Sequence, residues 1–425
     1  MFKAMENYGL VLLLLAVMIG LSALADKARV PMPVILISAG IVLGFIPAVP
    51  ETRLDPDIIF LLFLPPLLFD AAFNIPAAGF RENLNTISTL AITLVFVTTA
   101  GIAAIAHFLI PGMTWPLGFV LGSILSATDA VTALNITKGL GLSTKTTTIL
   151  EGESLVNDAS SLVAYNFAVA AVTGLAFVWW RAGLQFVILV GGGLVVGLAT
   201  GRVLAFILRR VQENYAVTVG FMLLTPFVTY LVAQALQVSP IIAVVVLGVS
   251  IARFSNKVLP PYLKNQSRAF WEIILFLLNG LIFILIGLQF PYVMKHIDRT
   301  RILPYLGYAL IITVVALALR MSRLFLQQVN LQRAFKDPRK RRHVAEGALL
   351  DTKTSLIIGW SGMRGIVSLA IAIGLPYTLK DGTPFPQRGA IIFISVAVVL
   401  FTIFGQGLSL PWLIRKLTGR ENQKG

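Results

Sequence analysis

Apolar runs of about 20 residues recur along this chain from one end to the other, and each is long enough to cross a lipid bilayer. They predict an all-α polytopic membrane protein of about 13 transmembrane helices. The spans fall near 8–25, 31–48, 56–74, 87–110, 115–138, 147–174, 183–207, 216–237, 240–253, 269–290, 302–321, 353–376 and 388–412. Residues 1–412 thus form one membrane domain, with a short cytoplasmic tail at 413–425. Composition agrees, because only 12% of residues are charged, against about a quarter in a soluble chain. The absence of cysteine removes disulfide, thiolate and zinc–sulfur chemistry. Ala23-Leu24-Ala25 resembles a signal-peptidase site, but Glu6 ahead of the first run weighs against cleavage. Cleavage there would leave twelve spans.

The net charge of +15 sits between the apolar runs. No recognition module accompanies it, so it points to membrane topology and no nucleic-acid partner is expected. With the N-terminus outside, Lys and Arg on the inner side outnumber those on the outer side by roughly three to one, which favours N-out, C-in. The basic stretch from Arg320 to Lys353, including Arg339-Lys-Arg-Arg342, reads as a solvated topological anchor; attraction to anionic membrane lipids is its alternative.

The seventh run, with Gly191-Gly-Gly193, divides the chain into repeat one (about 8–174) and repeat two (about 216–412), with a linker helix at 183–207. Six spans on each side of an odd divider give opposite orientations, the plan of an inverted repeat. The fifth and twelfth spans are equivalent in this scheme, and both are interrupted. One carries Ser126-Ala-Thr-Asp-Ala-Val-Thr132, the other Gly359-Trp-Ser-Gly-Met-Arg-Gly365. Non-helical backbone at membrane depth is tolerated where it lines a cavity. Asp129 and Arg364 at matching positions favour two broken, crossing helices over kinked packing helices with close-contact glycines.

The sixth span carries the most informative chemistry, Glu151-Gly-Glu-Ser-Leu-Val-Asn-Asp158. An ionisable group inside a membrane helix marks an ion path by default. A buried carboxylate such as Asp158 is neutralised by a proton or by a cation, and competition between the two is enough for coupled exchange. Ser154 and Asp158 are four residues apart, as are Glu153 and Asn157, so the four share one broad helical face. Hard cations take oxygen ligands, and Asp158, Ser154, Asp129, Thr128 and freed backbone carbonyls offer them. Asn157 cannot titrate; it is expected to tie the two elements together by reaching Thr128 or Asp129. One exchangeable charge predicts one proton for one monovalent cation. Glu153 and Arg364 are each costly if unpaired, so a buried ion pair between them is expected, and Glu151 near the span end faces water. Asp70, after Leu64-Pro-Pro66, and Glu272, near the inner end of the tenth span, either line an ion funnel or sit at the interface. His107, His296 and His343 fall in loops or near span ends, away from the proposed site.

Thr128-Asp129, Glu153-Ser154, Asn157-Asp158 and Gly362-Met-Arg-Gly365 together resemble the signature of sodium/proton antiporters of the NhaP/NHE-type branch. Phe63-Leu-Pro-Pro-Leu-Leu-Phe-Asp-Ala-Ala-Phe73 is similar to that family's third span, and Phe270-Trp-Glu272 with Asn279, Phe283 and Gly287 to its tenth. The resemblance runs from about residue 10 to 412. It implies a homodimer whose protomers have a dimer domain and a mobile core domain of spans four to six and eleven to thirteen. It makes Asp158 the ion- and proton-binding carboxylate, with Thr128, Asp129 and Ser154 as supporting ligands and Glu153–Arg364 as core ion pair. The sequence departs from the family at Ala130, where many relatives have Pro, at Asp70, where Glu is usual, and in stopping soon after Arg415-Lys416, where many relatives continue into a long tail.

The expected function is therefore electroneutral exchange of Na+ or Li+ for H+, with no enzymatic step and no cofactor, in the plasma membrane. A K+/H+ antiporter on the same scaffold stays open. A cation channel or uniporter, a sodium-coupled solute symporter and a purely structural or sensory protein are the readings from other classes.

Overall fold

The computed structural model describes residues 2–28, 30–47, 56–137, 139–174, 179–211, 214–258, 260–295, 297–337, 346–379 and 382–418. The described residues are almost entirely helical. In chain order the helices are α1 (Phe2–Ala28), α2 (Met32–Gly44), α3 (Pro56–Asn74), α4 (Ala77–Glu82), α5 (Leu84–Ser88), α6 (Val95–Leu109), α7 (Trp115–Ser126), α8 (Ala130–Thr137) and α9 (Thr144–Val172). They continue as α10 (Trp179–Val211), α11 (Tyr215–Ala235), α12 (Pro240–Val258), α13 (Pro261–Lys295), α14 (Arg299–Lys336), α15 (Thr352–Trp360), α16 (Ile366–Ile373), α17 (Arg388–Phe401) and α18 (Leu408–Thr418). Wide π-helical turns join α5 to α6 (Thr89–Leu94) and α17 to α18 (Thr402–Gly407).

Eight helical stretches are long and apolar enough to span a bilayer, and four shorter apolar helices lie among the described residues. Some ends differ from the hydropathy reading. α13 begins at Pro261 and α14 continues to Lys336, well past the predicted limits at 269 and 321. α18 carries helix through Thr418, beyond the predicted start of the tail. Residues 419–425, the Arg339–Arg342 basic run, His296 and His343 lie outside the described residues.

Small residues set the helix spacing, as expected where no hydrophobic force separates helix from lipid. Gly40 of α2 and Gly287 of α13 meet reciprocally, each so close to the other helix's backbone that a side chain would not fit. Gly193, Gly197 and Gly201 form a stripe at four-residue intervals along α10 against Ser239, Ala243 and Ser250 at α12. A second consequence is central to the site: α7 and α8 are one interrupted helix, α15 and α16 another, and the two interruptions touch. The Asp129 amide donates to the Met363 carbonyl at 2.8 Å.

Candidate functional site

Each interruption leaves helix ends in the protein interior, where backbone groups need partners. At the first, Ala127 turns extended and ends α7. Asp129 then caps α8: its carboxylate accepts from the Thr132 amide at 3.2 Å and the Thr132 hydroxyl at 2.7 Å. The amides of Val131 and Ile366 also donate to it, so one carboxylate serves the N-termini of both α8 and α16. Arg364 does the converse. Its Nε donates to the Leu125 carbonyl near the end of α7 at 3.0 Å, and Nη1 to the Gly362 carbonyl beyond α15 at 2.8 Å. Its amide donates to Thr402 Oγ1 in the second π-helical turn at 3.2 Å. The partial charges at the four helix ends are thereby matched by side chains of opposite sign.

The expected Glu153–Arg364 ion pair is not formed. Glu153 pairs with Arg320 of α14 instead, through Nη1–Oε1 and an Nη2–Oε2 bond of 2.8 Å, with both side chains 2% exposed. Arg320 also donates to the Ile358 carbonyl of α15 from Nε and Nη2. The physical reason is that Arg364 is consumed by helix-end carbonyls, whereas Arg320 points inward from α14. The sequence reading counts Arg320 as a cytoplasmic loop charge; the structure buries it mid-helix. The glycines of Gly362-Met-Arg-Gly365 admit these charges. A Cβ at Gly362 would strike the Arg320 side chain, and one at Gly365 the Asp129 carboxylate.

Asn157 holds α9 to the first interruption, its Nδ2 donating to Thr128 Oγ1 at 2.9 Å and to the Thr128 carbonyl at 3.1 Å. Thr128 in turn donates to Glu153 Oε1 at 2.8 Å. Ser154 Oγ accepts a long bond from the Ala130 amide at 3.5 Å. Asp158 differs from all of these. It is 5% exposed, and among the described residues its carboxylate makes no hydrogen bond. It lines a cavity of about 860 Å³, together with Thr128, Asp129 and Ser154. Asp70, Glu151 and Glu272 line the same cavity; Asp70 accepts from Asn74 at 2.8 Å. Glu151 therefore faces the shared cavity. His107 stacks on Trp115 with centroids 4.6 Å apart and does not line it.

Two interrupted helices that touch at their breaks, beside a carboxylate that no described residue bonds, follow the plan of the secondary-transporter folds. The comparisons with known proteins give the family. The sodium/hydrogen exchanger transmembrane family matches residues 12–416, and the chain belongs to it. A Bacillus pumilus protein named a sodium, potassium, lithium and rubidium/H+ antiporter is 35% identical over 97% of this chain. The chain spans 62% of that relative's length. The Halobacillus aidingensis Na+/H+ antiporter NhaH is 30% identical, covering 96% of this chain and 97% of its own. The solved structure of the sodium proton antiporter MjNhaP1 from Methanocaldococcus jannaschii shares the fold, with a TM-score of 0.72 at 22% identity over 98% of this chain and 100% of that one.

Proposed function

We propose that this chain exchanges Na+ or Li+ for H+ across the plasma membrane, one for one, by competition for Asp158. The observation that carries this reading is the contrast at the crossing. Glu153, Asp129 and Arg364 are engaged, while Asp158 faces the cavity with no partner among the described residues. Binding a proton or a monovalent cation neutralises it, and each leaves as the other arrives. Ser154 and Thr128 supply neutral oxygen nearby, and Asp70, Glu151 and Glu272 attract cations to the mouth. The mouth also includes Arg415, on the side that the Lys and Arg distribution assigns to the cytoplasm with the N-terminus outside. The moving unit is residues 84–172 with 299–418, and the functional assembly is a homodimer; the resemblance to the family supports both. The name of the Bacillus pumilus relative favours K+ as a further cargo on the same site.

The test is proton movement in proteoliposomes containing a pH dye, on adding Na+, Li+ or K+, at clamped and free voltage. Wild type is expected to move protons for the cation irrespective of voltage, and Asp158→Asn to lose this. Unchanged flux in Asp158→Asn would reject the site. Cation current without proton movement would make the protein a channel.

A further inference from the structure

Two helices line the cavity with matching ladders. On α9, Glu151 is followed seven residues later by Asp158. On α13, Glu272 is followed seven residues later by Asn279, with Leu275, Phe276 and Phe283 on the same cavity face. Seven residues are two helical turns, about 10 Å along the axis. Asp70 interacts electrostatically with both Glu151 and Glu272, so these three carboxylates of the cavity lining influence one another. Asp158 and Asn279 thus each stand two turns further along a cavity-lining helix from an acidic residue.

Asn279 is 8% exposed, and its Oδ1 is buried without a hydrogen-bond partner. No other protein group bonds either end of this amide among the described residues. An orphaned amide in a membrane interior calls for a reason. The next residue, Gly280, packs on Met18 and Met32 and so places that side of α13 against its neighbours. Ser368 of α16 also lines the cavity, and its hydroxyl is likewise buried and unpartnered.

Resting on the exchange mechanism above, we propose that Asn279 is a specificity-determining residue. Its amide oxygen replaces a hydration water of an alkali cation passing from the acidic mouth to Asp158. Hard monovalent cations are held by oxygen dipoles as well as by charge, and the number of such dipoles discriminates among ion sizes. A bare proton gains nothing from this wall. α13 lies outside the proposed moving unit, so Asn279 acts when the cation loads and stays behind when Asp158 travels. Its loss should therefore weaken cation loading without slowing the loaded transporter.

The experiment is the concentration dependence of Na+-, Li+- and K+-triggered proton movement in proteoliposomes. Wild type is compared with Asn279→Ala, Asn279→Ser, Asn279→Leu and Asp158→Asn. For Asn279→Ala the half-saturating Na+ concentration should rise roughly tenfold, the scale of one polar contact to a charged group. Maximal rate should stay within about twofold, and the order of preference among the three cations should change. Asn279→Ser, which keeps an oxygen, should recover part of the affinity, and Asn279→Leu should not. At one fixed Na+ concentration the acid-side pH midpoint should move up, because a more weakly held cation competes less well with the proton for Asp158. Unchanged half-saturation in Asn279→Ala, or a fall in maximal rate alone, overturns the assignment. So does a Leu variant as good as Ser, which would make the position a packing residue. If wild type moves no protons, or Asp158→Asn is unaffected, the exchange mechanism itself fails and takes this inference with it.

Discussion

Removing the charge of Glu153 should destabilise the membrane domain more than any single surface change, and for a reason that can be counted. Arg320 gives Glu153 two charge-assisted bonds and, among the described residues, has only the Ile358 carbonyl besides. Glu153→Gln leaves the guanidinium buried against one carbonyl. Breaking one side of a buried pair costs about 3–5 kcal/mol, because the surviving charge is stranded. For a chain this long, with about 1–2 °C of Tm per kcal/mol by size scaling, that is a fall of roughly 3–10 °C. Arg320→Met should cost a similar amount by stranding Glu153. The double variant Glu153→Gln/Arg320→Met strands no charge, so it should lie well above the sum of the two single losses. The assay is thermal unfolding of purified protein in detergent at fixed pH, with a double-mutant cycle. Additive losses, or a Glu153→Gln variant that melts with wild type, would refute the pair as a structural clamp. Arg364→Met would then be the variant to examine, since Arg364 was the partner expected from sequence.

Two further outcomes follow from single atoms. Gly365→Ala places a methyl against the Asp129 carboxylate and should cost about 1–3 kcal/mol by overpacking; Tm and monodisperse yield check it, and Asp129→Ala in the same chain should restore part of the loss. Asp351 caps α15, its Oδ1 accepting from the Thr354 amide at 3.2 Å, so Asp351→Ala should cost about 1 kcal/mol. Burial pushes the Asp351 carboxyl up, but the hydrogen bonds from Thr354 and the ammonium of Lys145 outweigh it and hold the group below its ordinary value. A carboxyl lowered by folding stabilises above its unfolded value, near about 4. That contribution fades as pH falls through the folded value, so the Tm gap between Asp351→Ala and wild type should close below about pH 4.

Much of this architecture is legible in the chain. Hydropathy finds the helices, and the polar interruptions at Ser126–Thr132 and Gly359–Gly365 mark the breaks, because neither run can satisfy a continuous helix without an interior cavity. The link from Asn157 to Thr128 also follows from residue type, since a buried amide must find a partner. Arg320 does not follow. The apolar run stops at Leu319 and the span is placed to end at 321, so Arg320 reads as a charge at its inner edge. The helix runs on through Gln, Leu and Arg residues that favour helix regardless of lipid. Hydropathy reports where the hydrocarbon ends, and helix propensity where the helix ends. The partner is 167 residues from Glu153, and no local pattern spans that separation. The one available signal was that Glu153 needed a cation, and two arginines could answer it. The π-helical turns at Thr89–Leu94 and Thr402–Gly407 carry no comparable mark in the sequence.

The choice between those arginines bears on the transport stoichiometry. Had Arg364 paired with Glu153, the carbonyl ends of α7 and α15 would lack a cation, and the crossing would hold a negative field beside Asp158. Instead Arg364 answers the carbonyl ends, Asp129 answers the amide ends of α8 and α16, and Arg320 answers Glu153. Arg364 offsets Asp129, and Arg320 offsets Glu153, so the crossing is neutral apart from Asp158. Carrying an uncompensated charge through hydrocarbon is expensive. On the proposed exchange, the unit would then move with either a proton or a monovalent cation on Asp158 and be held back when Asp158 is empty. Asn157 matters to this count as much as Asp158 does, for an Asp at 157 would lose the donor to Thr128 and add a second charge that needs its own ion. On the proposed exchange, a ratio of one to one follows from the one carboxylate at the crossing that no described residue bonds.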